Sequence, residues 1–193
     1  MNSATARSRG PLIGLALLFM APLAVSFWLY YGTSWRPAGQ TNHGVLIEPP
    51  QPLPAISLAP LGGGAPGNPL NNGKWSLVYV GGGECAADCQ QALVFARQVY
   101  LAMGRLADRV QRVFLATGSC CNESWLSAEQ GGLITLPAAG AGELLARFPA
   151  QDQAHQLFVV DPLGNLMMSY DARTDPKGLR EDLKKLLNLS HIG

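Results

Sequence analysis

Residues Pro11 to Tyr31 (PLIGLALLFMAPLAVSFWLYY) form a run of 21 positions without a charge. At a rise of about 1.5 Å per residue, a helix of that length covers the roughly 30 Å of a bilayer's hydrocarbon core. This run predicts one transmembrane helix over residues 11–31, with residues 1–10 before it. Phe27, Trp28, Tyr30, Tyr31 and Trp35 cluster at its far end, where aromatic rings settle at the membrane–water interface. Arg7 and Arg9 precede the span without a nearby acid, and only Arg36 follows before Glu48. The positive-inside bias therefore predicts a cytoplasmic N-terminus and an exported remainder. A cleaved signal peptide is the competing reading, because Ala24-Val25-Ser26 has the small-x-small form of a cleavage site. Either reading puts the rest of the chain where disulfides persist.

Charge narrows the function. Lys and Arg number 14 against 13 Asp and Glu, a net of +1 in 193 residues, while 48% of residues are hydrophobic. Disordered polymers carry high net charge and little apolar surface, so that class is excluded. Nucleic acid is excluded as a partner because phosphate neutralisation needs a Lys/Arg excess. From Pro37 to Gly73 there are 15 Gly or Pro residues and a single charge. This composition predicts a linker over residues 32–52, then a domain over 53–193. Leu53 to Leu61, before three glycines, is expected to be an edge strand, and His43 in the linker a solvated or interface residue.

Trp75 to Val80 (WSLVYV), bounded by glycines, has the form of a strand buried on both faces. Ala87 to Asp108 carries Leu93, Val94, Val99, Met103 and Leu106 at helical spacing, with Arg97 and Arg105 opposite. Val110 to Ala116 follows as a second buried strand, so the three elements imply a right-handed parallel crossover. Between Thr117 and Gln153 the pattern predicts a short strand at Leu133–Leu136 and a short helix over Ala141–Phe148. Leu157–Val160 and Leu166–Tyr170 flank a Pro/Gly turn as a hairpin, and Asp175-Pro176 opens a terminal amphipathic helix. The order βαβ, hairpin, helix predicts an α/β, thioredoxin-like domain: a central mixed sheet flanked by helices.

The chemistry lies in four cysteines, Cys85 and Cys89 in GGGECAADC and Cys120-Cys121 in TGSCCNE. Both pairs follow strands read as parallel, so both are expected at the carboxyl edge of the sheet. A cysteine at a helix N-terminus feels unpaired N–H groups and the positive end of the dipole, which stabilise thiolate. Cys89 lies one helical turn from Cys85. That spacing fits a disulfide, or two sulfurs on one soft metal ion, with Cu(I) favoured by thiolates and an added imidazole allowing Cu(II). His155, just before the strand at Leu157, is the candidate imidazole, and a solvated loop histidine is the alternative. His191, near the C-terminus, is taken as incidental.

The run Gly73 to Leu93 (GKWSLVYVGGGECAADCQQAL), the apolar span and His155 to Tyr170 (HQLFVVDPLGNLMMSY) resemble the Sco/SenC family. These are thioredoxin-like, membrane-anchored cytochrome c oxidase assembly proteins, and small oxidase-associated bacterial members look nearest. Ala86 stands where family members often carry proline, and His155 stands closer to the turn than the family histidine. The resemblance implies copper bound by Cys85, Cys89 and His155. It also implies oxidase subunits or other assembly factors as partners, a bacterial inner membrane, and a periplasmic domain. It does not account for Cys120-Cys121. Because a bond between adjacent cysteines closes a strained ring, these two are expected to partner Cys85/Cys89 or to be free thiols. Three functions fit: an assembly factor that delivers copper or keeps acceptor thiols reduced, a thiol–disulfide oxidoreductase with Cys85 attacking and Cys89 resolving, and a structural subunit stapled by Cys85–Cys89.

Overall fold

The computed structural model describes residues 10–33, 41–150 and 153–190. It divides into two compact units, residues 1–41 and 42–193. Arg7, Arg9, Trp35, Arg36 and His191, invoked above, lie outside the described residues.

Among its described residues the first unit holds one helix, α1 (Gly10–Gly32), none of whose residues is buried. Leu12, Leu18, Phe19, Leu23, Phe27 and Tyr30 are all exposed, so the helix is apolar all round. It is long and apolar enough to cross a membrane. Pro22 lies inside it, a residue that spanning helices tolerate.

The second unit is built on a six-stranded mixed sheet. Its strands are β1 (Val45–Pro52), β2 (Trp75–Gly82), β3 (Val110–Thr117), β4 (Leu133–Pro137), β5 (Gln156–Val160) and β6 (Asn165–Asp171), in the order β1-β6-β5-β2-β3-β4. β2, β3 and β4 are parallel, and β5, β6 and β1 join antiparallel. The helices are α2 (Ala87–Ala102), α3 (Glu123–Glu129), α4 (Gly142–Leu145) and α5 (Pro176–Leu189).

β2 sits near the middle with both faces covered. Trp75, Leu77 and Tyr79 join Leu93, Val99, Leu179 and Leu183 on the face covered by α2 and α5. Val78 and Val80 join Phe158, Leu144 and Phe148 on the other. The β2–β3 register runs from Trp75↔Val110 to Gly82↔Thr117, so the two strands end level. The loops that carry the cysteine pairs therefore leave the sheet side by side.

Several boundaries differ from the sequence expectation. The segment read as the end of the linker forms β1, an edge strand on β6 whose Pro49, Pro50 and Pro52 remove ladder donors without cost to a second neighbour. Leu53–Leu61 is not a strand. Pro54 and Pro60 interrupt it, one bridge joins Leu58 to Gly67, and Leu53, Ile56 and Leu58 pack on the second core instead. α2 stops at Ala102, and from Gly104, which takes φ +57, the chain continues as a 3-10 turn to Arg109. α3 lies in the region that sequence periodicity left unread, started by Asn122 accepting from the Trp125 N–H. The hairpin and α5 lie where expected, with Asp175 capping the Lys177 N–H.

Candidate functional site

Cys85 and Cys89 are joined in a disulfide with their Cα atoms 5.0 Å apart. Cys89 lies in the first turn of α2, and Cys85 precedes the uncapped N-cap position Ala86. The Cys85 N–H donates to the Gly82 carbonyl at 3.1 Å, and Gln90 Nε2 donates to the Cys85 carbonyl at 3.0 Å. These bonds hold Cys85 at φ +45, a left-handed conformation uncommon outside glycine. Both residues face the core: Cys85 is 1% exposed and Cys89 5%. The core cluster they join also holds Tyr79, Leu93, Phe114 and Leu126. No side chain caps Ala86, so the N–H groups of the first turn remain available to a thiolate once the bond is reduced.

The second loop lies directly against the first. The Gly83 N–H donates to the Thr117 carbonyl at 3.0 Å, and the Asn122 N–H donates to the Gly83 carbonyl at 2.9 Å. A Cβ on Gly83 would strike the Ser119 carbonyl and come within 2.7 Å of the Cys120 Cα. The two pairs therefore share one sheet edge. The pairing differs from the expectation, because Cys120 is bonded to Cys121 and no cysteine is free. Side-chain direction is the physical reason. Cys85 and Cys89 point into the core, whereas Cys120 is exposed and only Cys121 packs partly against that core.

His155 ends a 3-10 turn, Gln153–His155, that leads into β5. β5 runs antiparallel to β2 with Leu157 opposite Tyr79, so its start lies at the cysteine edge. The turn is held by its backbone: the His155 carbonyl accepts from Ala172 N–H at 2.7 Å, and the Ala154 carbonyl accepts from the Tyr79 hydroxyl at 3.1 Å. The Asp171 carboxyl is held below its usual range first by its hydrogen bond to Arg173, and His155 contributes least. Among the described residues, no three His, Cys, Asp or Glu side chains converge as a metal-holding group. In this disulfide form His155 shares the edge with the two sulfurs without closing on them.

Tyr79 was not singled out from the sequence, where it reads as one more buried strand residue. Its hydroxyl ties the His155 turn to β2, and its pKa rises from 10.0 to about 12 through burial first, then the charges of Asp88 and Glu84. The lone phenol in the apolar run Trp75–Val80, just before the glycines, was the available signal. Because the folded value lies above the unfolded one, the folded state keeps this proton longer. The resulting stability is complete below about pH 10 and is lost as pH climbs through about 12. In oxidised protein, urea midpoints of wild type and Tyr79→Phe should therefore converge over that window; a constant gap would refute this origin.

Residues 75–190 match the family described as the transmembrane-like, thioredoxin-like C-terminal domain. The chain belongs to that family. Solved structures share the fold of this thioredoxin-like domain. Apo Sco1 from Thermus thermophilus is 21% identical with a TM-score of 0.60, over 78% of this chain and 99% of that one. Copper-bound ScoI from Bradyrhizobium japonicum is 22% identical with a TM-score of 0.56, over 69% of this chain and 98% of that one. The dsbF protein of MTB, in mixed oxidised and reduced forms, is 16% identical with a TM-score of 0.53, over 68% and 95%. No curated protein sequence matches the chain.

Proposed function

We propose that this protein is a Sco-like, membrane-anchored assembly factor for cytochrome c oxidase, with copper as its cargo and Cys85 and Cys89 as the cargo-holding pair. One observation carries the reading: the two sulfurs meet one helical turn apart at the N-terminus of α2, on the carboxyl edge of a thioredoxin-like sheet. The copper-bound ScoI structure, which has this fold, supports it. Residues 11–31 span the bacterial inner membrane from a cytoplasmic N-terminus, and the thioredoxin-like unit, which begins at residue 42 and includes β1, works in the periplasm. Oxidase subunits or companion assembly factors are the partners.

The donor set fits the cargo after one chemical change. A disulfide cannot ligate copper, so two electrons must first open Cys85–Cys89. The first turn of α2 then favours the thiolates, and two soft sulfurs suit Cu(I). His155, brought to the same edge by the Tyr79 hydrogen bond, is the added ligand for Cu(II). Tyr79, with its raised pKa, remains a neutral donor at any physiological pH and keeps that turn in place.

The bonded state of the cysteines supports a second reading, a thiol–disulfide oxidoreductase in which Cys85 attacks and Cys89 resolves. Affinities for Cu(I) and Cu(II), measured on the reduced full-length protein in detergent, separate the two. Cys85→Ser and Cys89→Ser are each expected to weaken Cu(I) on the order of 100-fold or more, since a lost ligand costs at least what a lost supporting residue does. His155→Ala should weaken Cu(II) most and leave Cu(I) nearly unchanged. Unchanged copper affinity in both cysteine variants, together with a client mixed disulfide trapped by Cys89→Ser, would overturn the copper reading in favour of exchange.

A further inference from the structure

Both cysteine pairs are bonded, yet they differ in access. Cys85 and Cys89, at 1% and 5% exposure, are closed to a protein-sized reductant, because disulfide exchange needs in-line approach of the attacking sulfur. Cys120 is exposed, and Cys121 packs partly against the core cluster that holds Cys85 and Cys89. Their loops are joined by the Asn122 N–H to Gly83 carbonyl bond at 2.9 Å, and the absence of a side chain at Gly83 lets the two backbones touch. Level strand ends, Gly82 opposite Thr117, fix this adjacency in the sheet itself.

We infer that Cys120–Cys121 is an electron-entry site, through which an external protein dithiol reduces the buried Cys85–Cys89 disulfide. The inference rests on the proposed function, which requires that disulfide to be opened before copper binds.

The steps balance as two electrons and two protons. One thiolate of the external dithiol attacks the exposed Cys120 sulfur, the Cys120–Cys121 bond breaks, and Cys121 leaves as thiolate. The second external thiol resolves the mixed disulfide, so the donor departs oxidised and Cys120 and Cys121 are both reduced. Cys121, the member that faces the core, then attacks a sulfur of the Cys85–Cys89 bond. Cys120 resolves that intermediate and re-forms Cys120–Cys121. The two protons of the donor end on Cys85 and Cys89, and the entry pair is ready for another cycle.

The test uses oxidised full-length protein in detergent with reduced thioredoxin as the dithiol. Trypsin separates the pairs: cleavage after Lys74 and Arg97 releases Cys85 and Cys89 together, and cleavage after Arg112 and Arg147 releases Cys120 and Cys121. Timed alkylation and mass spectrometry then give a rate for each pair. In wild type, Cys120–Cys121 should open first and Cys85–Cys89 follow. In Cys120→Ser/Cys121→Ser the Cys85–Cys89 rate should fall at least tenfold. Cys120→Ser alone should accumulate a crosslink between Cys121 and Cys85 or Cys89, which an inert staple would not form. A double variant that keeps the wild-type rate, or a single variant without the crosslink, overturns the relay. Cu(I) affinity of the same double variant after chemical reduction keeps the two proposals apart. Wild-type affinity with a wild-type reduction rate removes the relay and leaves the copper function standing, whereas a slowed rate in a protein that binds no copper removes the copper function and leaves the relay. A far-ultraviolet circular dichroism spectrum matching wild type certifies each variant as folded.

Discussion

Gly83→Ala is expected to destabilise the domain by about 3 kcal/mol, toward the upper end for overpacking, and to disturb both cysteine loops together. The added Cβ would meet the Ser119 carbonyl oxygen, the Cys120 Cα at 2.7 Å and the Ser119 carbonyl carbon at 2.9 Å. All three are backbone atoms, so no rotamer change relieves the contact. The strands behind them cannot separate either, because β2 and β3 are hydrogen-bonded in register up to Gly82↔Thr117. The remaining response is to pull the loops apart, breaking the Gly83–Thr117 and Asn122–Gly83 hydrogen bonds, each worth about 1 kcal/mol. Gly140→Ala is the matched control, since nothing lies within 4 Å of its Cβ position. Surface changes of that kind stay within about 0.5 kcal/mol. Urea denaturation of the two oxidised variants makes the comparison, and equal midpoints would show that the loops are not clamped at Gly83.

What the sequence disclosed about this edge followed from periodicity and topology. A continuous apolar run at Trp75–Val80, an amphipathic helix and a second run at Val110–Ala116 dictate a parallel crossover. Any residue just past those strands must lie at one edge, so the neighbourhood of the two cysteine pairs was legible. Their pairing was not, because it depends on which way each sulfur points, and a glycine-rich loop leaves that open. Cys85 turns inward through its own positive φ, and nothing in GGGEC announces that turn. His155 was placed at the correct edge by the antiparallel β5, but convergence on the sulfurs needs side-chain distances that strand order does not set. β1 stayed hidden for a different reason. Its prolines lower strand propensity, and only the free edge of β6 makes Val45–Pro52 a strand. α3 is too short, at seven residues, to display a helical period.

The attachment of that edge strand leads to the second large effect. Asp182 lies on α5 at 4% exposure, and its Oδ2 accepts from the His43 N–H at 2.7 Å and the Gly44 N–H at 2.9 Å. Hydrogen bonds to a charged acceptor contribute about 1.5–3 kcal/mol each, and their loss here would leave the buried Gly44 N–H unpaired. Close packing holds the same segment from both sides. A Cβ on Gly44 would meet Met168 Sδ at 2.7 Å, and one on Gly178 would meet His43 Cβ at 2.9 Å. The surface pair of His43 and Glu181, 3.3 Å apart and half exposed on each side, adds little by comparison. Asp182→Ala should therefore cost about 3–4 kcal/mol, the two charged bonds together less what water recovers at the partly exposed His43 N–H. The loss should be local before it is global, because β1 touches the sheet only through β6. Hydrogen exchange is expected to accelerate at Val45, Leu46 and Gln51 while β2 and β3 keep their protection. Asp182→Asn, which retains an acceptor without the charge, should fall between wild type and alanine. If β1 amides exchange at the wild-type rate in Asp182→Ala, the strand is held by its pairing with Ser169, Met168 and Leu166 alone, and the carboxylate clasp is incidental.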